Sequence, residues 1–146
     1  MTRRRGGASG FTLLEILVVL AVLALVLTLI LQHGPLTSPA LSVQGTAGEL
    51  AQALRTARSE AIADGRPVVL LLDAARREYL TTGAAPRVLH APPAMIIAAP
   101  STGISFMPDG SSSGGQILLE QAGHRADIGV NWLTGRVSVS ETRSGD

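Results

Sequence analysis

The sequence predicts an α+β fold, a long N-terminal helix followed by antiparallel β-structure, on three observations. Residues 11–31 are an apolar run interrupted by a single acid, Glu15. Residues 41–64 repeat apolar positions at helical spacing. From residue 67 onward the apolar runs shorten and are divided by Gly, Pro and Ser, as strands are. That order puts the amphipathic half of the helix on the sheet.

The elements follow in order. Residues 1–10 carry Arg3, Arg4 and Arg5 and end at Gly10. The run 11–31 is roughly 21 residues, about 31 Å as a helix, enough to cross the hydrocarbon core of a bilayer. The three arginines predict a cytoplasmic N-terminus and a domain on the far side of the membrane. Across residues 33–40, Gly34, Pro35 and Pro39 with short polar neighbours weaken helical continuity. The pattern resumes over 41–64: Leu50, Leu54, Ala57, Ala61 and Ile62 recur on one side, while Glu49, Arg55, Arg58 and Asp64 point elsewhere. Gly65 and Pro67 end it. The N-terminal part reads as one long helix with a weak middle, its inner stripe small enough to lie close to a sheet.

Strands are expected at 68–73, then at 78–82 after a turn at 74–77, and at 87–90, 95–98, 104–107, 116–121, 128–133 and 136–140. Their spacing suggests antiparallel hairpins, with Thr134 and Gly135 as a tight turn between the last two.

Composition limits what the domain can do. About a hundred residues remain after residue 40, enough for one small core. The net charge is +1. Removing Arg3, Arg4 and Arg5 gives +1 minus 3, or −2, before a new terminus adds up to one positive charge. The other arginines are scattered, so nucleic acid is not a favoured partner. There is no cysteine, so disulfides and thiol chemistry are excluded. Aromatics are 3%, leaving few platforms for stacking bases or sugars.

No pattern for catalysis is present, and the chain does not read as an enzyme. His33 falls in the neck, His90 at a strand end and His124 in a turn, none with metal-ligand spacing. Asp73, Asp109 and Asp127 do not make a calcium loop, and no G-x-S-x-G elbow occurs. The Gly- and Ser-rich stretch 108–115 lacks the lysine and spacing of a phosphate loop and reads as a flexible hairpin connection. Arg58, Ser59, Glu60 and Ala61 read as a solvated helix face with no active role. No catalytic residue, cofactor or metal ligand is expected.

Glu15 carries the most information. A carboxylate inside a membrane span costs about 2.5–3.5 kcal/mol on insertion scales, so it calls for a partner. If the chain were cut between Gly10 and Phe11, the new amine would sit one helical turn from Glu15, and two packed helices could pair the amine of one with the carboxylate of the other. A secretory signal peptide accounts for the basic start, but its apolar region is shorter and holds no Glu. Ser38 and Ala40 offer only a weak cut site, well past the run. An uncut anchor accounts for the span and the arginines, but not for Glu15 beside the Gly10–Phe11 junction.

Gly10, Phe11, Thr12, Leu13, Leu14 and Glu15, with the apolar run behind them, resemble the class III signal of type IV pilins and type II secretion pseudopilins. Leu54 to Ile62 with Gly65, Arg66, Pro67 and Val68, the block from Phe106 to Gly115, and Thr134, Gly135, Arg136 and Val137 resemble the GspH/FimT family. Together these stretches cover about half of the chain in the right order. The resemblance implies a pilin-like fold and an H-type minor pseudopilin of type II secretion. Residues 1–10 would be a leader removed by prepilin peptidase, which also methylates Phe11. Residues 11–32 would be a transmembrane and assembly helix, 33–40 a neck and 41–146 a periplasmic domain, with its helix at 41–64 and its strands within 67–141. Glu15 would set register in a short fibre near whose tip the subunit lies. Expected partners are other major and minor pseudopilins, prepilin peptidase, the inner-membrane assembly platform and lipid. The alternative is a FimT-like minor pilin of a type IV pilus, with DNA binding in uptake. That would call for clustered arginines near the C-terminus, where Arg136 and Arg143 are offset by Glu141 and Asp146.

Overall fold

A computed structural model describes residues 12–32 and 38–143, with the side chains of residues 30–32 outside the description. The chain divides into two compact units, residues 1–36 and 37–146. In the first unit, helix α1 runs Leu13–Gln32. Of the neck expected at residues 33–40, residues 33–37 lie outside the described residues, and Pro39 and Ala40 already belong to the next helix.

The second unit begins with helix α2, Pro39–Asp64. Pro39 suits a first helical position because its missing N–H has no intrahelical partner there, and the helix therefore starts two residues earlier than the apolar pattern indicates. Gly65 closes it in the left-handed region at φ 63°. Val43, Ala47, Leu50, Leu54, Ala57 and Ala61 are buried at alternating steps of four and three, a single stripe along the helix. Leu50 and Leu54 are fully covered, each contributing about 1.5–3 kcal/mol of transfer free energy. Ile62, expected on this stripe, is 47% exposed, because one step past Ala61 rotates it off the buried side.

Among the described residues eight strands follow: β1 Val68–Asp73, β2 Glu78–Thr81, β3 Arg87–Val88, β4 Ile96–Ala98, β5 Ile104–Phe106, β6 Gly115–Gln121, β7 His124–Val130 and β8 Val137–Arg143. They form two antiparallel sheets, ordered β3-β2-β1-β5 and β4-β6-β7-β8. Helix α2 packs on strands of both. Val68 and Leu70 of β1, Ile104 and Phe106 of β5, Ile117 and Leu119 of β6, and Ala126, Ile128 and Val130 of β7 are buried at every second residue, as a one-sided sheet requires. The architecture is α+β, a helix packed on antiparallel sheets.

Three expectations change. The strand expected at 128–133 begins at His124, placing that histidine opposite Gln121 rather than in a turn. Ala122 and Gly123, at φ 48° and 78°, make a two-residue turn that carries the β6 register directly into β7. The strand stops at Val130 because Asn131 leaves the ladder to cap the next loop. The link between the last two strands is therefore a loop over 131–136, wider than a tight turn at Thr134 and Gly135. Finally, 108–115 is not a hairpin connection, since β5 and β6 belong to different sheets. The crossing is closed by Met107 N–H donating to Ser111 O at 2.9 Å and by a bridge between Phe106 and Ser112.

Candidate functional site

Two regions carry functional information, one in each unit. In α1, Thr12 caps the helix: its Oγ1 accepts from the Glu15 N–H at 3.2 Å, and its carbonyl accepts from Glu15 and Ile16. The sequence Thr12-Leu13-Leu14-Glu15 has the spacing of a capping box, a local signal legible in the sequence alone. Glu15 is therefore exposed in the first turn, where the helix dipole favours a negative charge. Gly10 and Phe11 lie outside the described residues.

Behind Glu15 the helix is apolar on every side. Leu17, Leu20, Leu23, Leu25 and Leu27 are each more than half exposed, as is Val22. A helix apolar all round belongs inside lipid or a bundle of helices. Its side chains are described over residues 13–29, about 25 Å of axis. Among the described residues no helix is long and apolar enough to cross a membrane; in sequence the apolar run continues through Ile30 and Leu31.

The second region is an open groove lined by Arg55, Arg58 and Ser59 of α2 and by Asn131, Thr134, Gly135, Arg136 and Val137. Arginines that look scattered in sequence are thus brought to one place by the packing of α2 beside the β7–β8 loop. Arg58 is half-buried rather than solvated, and its Nε donates to the Gly110 carbonyl at 3.1 Å. Gly135 fits only because it lacks a side chain: a Cβ there would lie 2.3 Å from Gly110 O and 2.7 Å from Arg58 Nε. Arg58 thereby ties together the two loops that carry Gly110 and Gly135.

The remaining titratable candidates serve local structure. Asp73 accepts from the N–H groups of Ala75 and Arg76. Asp109 accepts from Ser111 Oγ at 2.6 Å and from its N–H, and these hydrogen bonds hold its carboxyl below the usual Asp range. Asp127 takes a two-pronged contact from Arg125 at 2.9 and 3.0 Å, which lowers its pKa, and it also accepts from Gln116. His90 is fixed by its own N–H to Glu49 Oε2 and by the Thr46 hydroxyl on its carbonyl. His33 lies outside the described residues. Among the described residues, no three His, Cys, Asp or Glu side chains come together as metal ligands could.

The family described as Type II transport protein GspH matches residues 46–135, and the prokaryotic N-terminal methylation motif matches residues 5–31. Type II secretion system protein H of Xanthomonas campestris pv. campestris is 33% identical over 145 residues, covering 92% of this chain and 85% of that protein. Among solved structures, the type IV minor pilin FimU of Pseudomonas aeruginosa aligns with a TM-score of 0.57 at 16% identity, over 67% of this chain and 87% of that one. The minor pseudopilin EpsH from the Type 2 Secretion System of Vibrio cholerae aligns with a TM-score of 0.53 at 11% identity, over 72% and 99%. At those identities the structural likeness establishes the fold.

Proposed function

We propose, from the premise that this chain belongs to the GspH family and is a minor pseudopilin of type II protein secretion, that it is an inner-membrane precursor processed for assembly into a periplasmic fibre. Prepilin peptidase cuts between Gly10 and Phe11 and methylates Phe11. The segment 11–32 holds the chain in the inner membrane with its N-terminus cytoplasmic, and the domain after the neck lies in the periplasm. The subunit is then built in near the fibre tip by the inner-membrane platform, beside other pseudopilins, to help export folded proteins across the outer membrane.

The observation that carries this reading is α1 itself, a helix that is apolar apart from Thr28 and Gln32 and whose one acid sits in its capped first turn. Lipid covers such a helix before assembly, and the helices of neighbouring subunits cover it afterwards. Glu15 then meets the amine of an adjacent Phe11. An unpaired charge is costly at low dielectric, so only the axial offset that pairs the two is stable, and the pair sets register.

The test is the N-terminus of the mature protein, by intact mass and terminal peptide sequencing, in cells with and without prepilin peptidase. The expected result is a chain beginning at methylated Phe11 only where the peptidase is present. A start at Met1 in both, or a start near Leu41, would overturn the proposal.

A further inference from the structure

The β7–β8 loop displays apolar side chains on a fixed backbone. Trp132, the sole tryptophan, is 65% exposed and Leu133 is 62% exposed. Beneath them, Asn131 Oδ1 accepts from Leu133 N–H, Thr134 N–H and Thr134 Oγ1 at 3.0, 3.0 and 3.1 Å. Gly135 N–H donates to Asn131 O at 2.8 Å, and Asn131 N–H donates to Arg136 O at 3.0 Å. From the neighbouring loop, Ser112 N–H donates to Trp132 O at 2.8 Å, and the Ser112 hydroxyl donates to Asn131 O. A loop held this way offers its side chains to a partner with little ordering left to do.

The charges beside it are unbalanced. Elsewhere in the domain Arg66, Arg76 and Arg125 each face an aspartate. The groove that the flanking loop residues Asn131 and Thr134 help to line also holds Arg55, Arg58 and Arg136 and no acid. Arg58 is engaged by Gly110, while Arg55 and Arg136 face no carboxylate within salt-bridge distance among the described residues. Tryptophan and arginine are the residue types that dominate binding energy at protein interfaces. Two available cations in a processed chain of charge near −2 are a poor surface for a polyanion, whose binding scales with the phosphates neutralised.

We infer that Trp132, Leu133, Arg55 and Arg136 form a docking patch for a different subunit of the fibre, one that presents a carboxylate beside an apolar side chain. This rests on the reading of the chain as a fibre subunit, and it assigns the periplasmic domain a contact of its own, apart from the packing of apolar helices.

The test is site-specific photocrosslinking of the full chain in secreting cells, with a benzophenone amino acid in place of Leu133. One covalent adduct is expected, to another pilin-like subunit, at a peptide containing Asp or Glu. Its yield should fall about tenfold with Arg136→Glu and recover when the partner's acid is changed to Lys. The thermal melt of Arg136→Glu, a substitution at an exposed site, should match that of the parent, separating lost docking from lost folding. An adduct to a second copy, to nucleic acid or to lipid overturns the inference, as does one indifferent to the charge reversal. The N-terminal mass is read from the same cells. A processed chain without an adduct overturns the docking patch alone, whereas a chain beginning at Met1 overturns the fibre reading and the patch with it.

Discussion

Arg58 on α2 donates to the carbonyl of Gly110, fifty-two positions along the chain, at 3.1 Å. The bond joins the helix to the crossing between the two sheets. Arg58→Met keeps most of the aliphatic stem but leaves a buried carbonyl without its donor, a loss of about 1–3 kcal/mol. A lower thermal midpoint of the full chain in detergent checks this. Lys offers no flat Nε–H at that position, so Arg58→Lys should recover little of the loss.

Gly135 and Gly48 should respond oppositely to alanine. Gly135 has φ 60°, and a Cβ would lie 2.3 Å from Gly110 O, a backbone atom that cannot swing aside. Gly135→Ala should destabilise by at least about 1–3 kcal/mol, since left-handed strain and a clash add. Gly48 is an exposed residue within α2, and a Cβ there meets nothing within 4 Å. Gly48→Ala should stabilise by about 0.4–1 kcal/mol through the entropy of the unfolded chain. Denaturant midpoints measured side by side decide both, and a gain at Gly135 would contradict the packing described.

The sequence made the long-period features legible. The stripe through Leu50, Leu54, Ala57 and Ala61 was visible because helical spacing is a local property, and β1 was visible because β-branched and leucine residues run between turn signals. What was not legible is what arginines do at long range. Arg58 looked like surface, and Arg77 looked like part of a turn. Yet the Arg77 guanidinium donates to the carbonyls of Ala91, Pro92 and Pro93, a segment whose prolines cannot supply ladder N–H groups. Such contacts depend on which loops the topology brings together, and period and composition carry no record of that. The division into two sheets was hidden for the same reason: Pro108–Gly115 punctuation marks a change of direction equally well for a hairpin and for a crossing.

Acid should weaken the domain through Asp109 and Asp127. Both carboxyls are held below the ordinary value of 3.8, by Ser111 and by Arg125 respectively. A depressed folded pKa means that the unfolded chain takes up protons first. The stabilisation is therefore present above pH 3.8 and is lost as pH falls from there through the lower folded values. Melting midpoints between pH 7 and pH 2 should drop in that acid window, and less steeply in Asp127→Asn. An unchanged slope in the variant would show that Asp127 does not contribute.

Glu15 has two possible contributions, which substitution can separate. As the third residue after the Thr12 cap it favours the helix start through the dipole, an effect of about 0.3–1 kcal/mol. As the partner of a neighbour's amine it would set fibre register, where an unpaired terminal charge is far more costly. Glu15→Val should still insert in the membrane and be cut, yet be absent from fibres recovered by shear and immunoblot. Glu15→Gln keeps the shape and removes the charge, so it should assemble poorly too. Thr12→Val removes the capping oxygen at about 1 kcal/mol while leaving the carboxylate in place. If Thr12→Val assembles normally and both Glu15 variants fail, the charge pair is the cause. If all three fail alike, helix initiation is the cause, and Glu15 has no separate role in register.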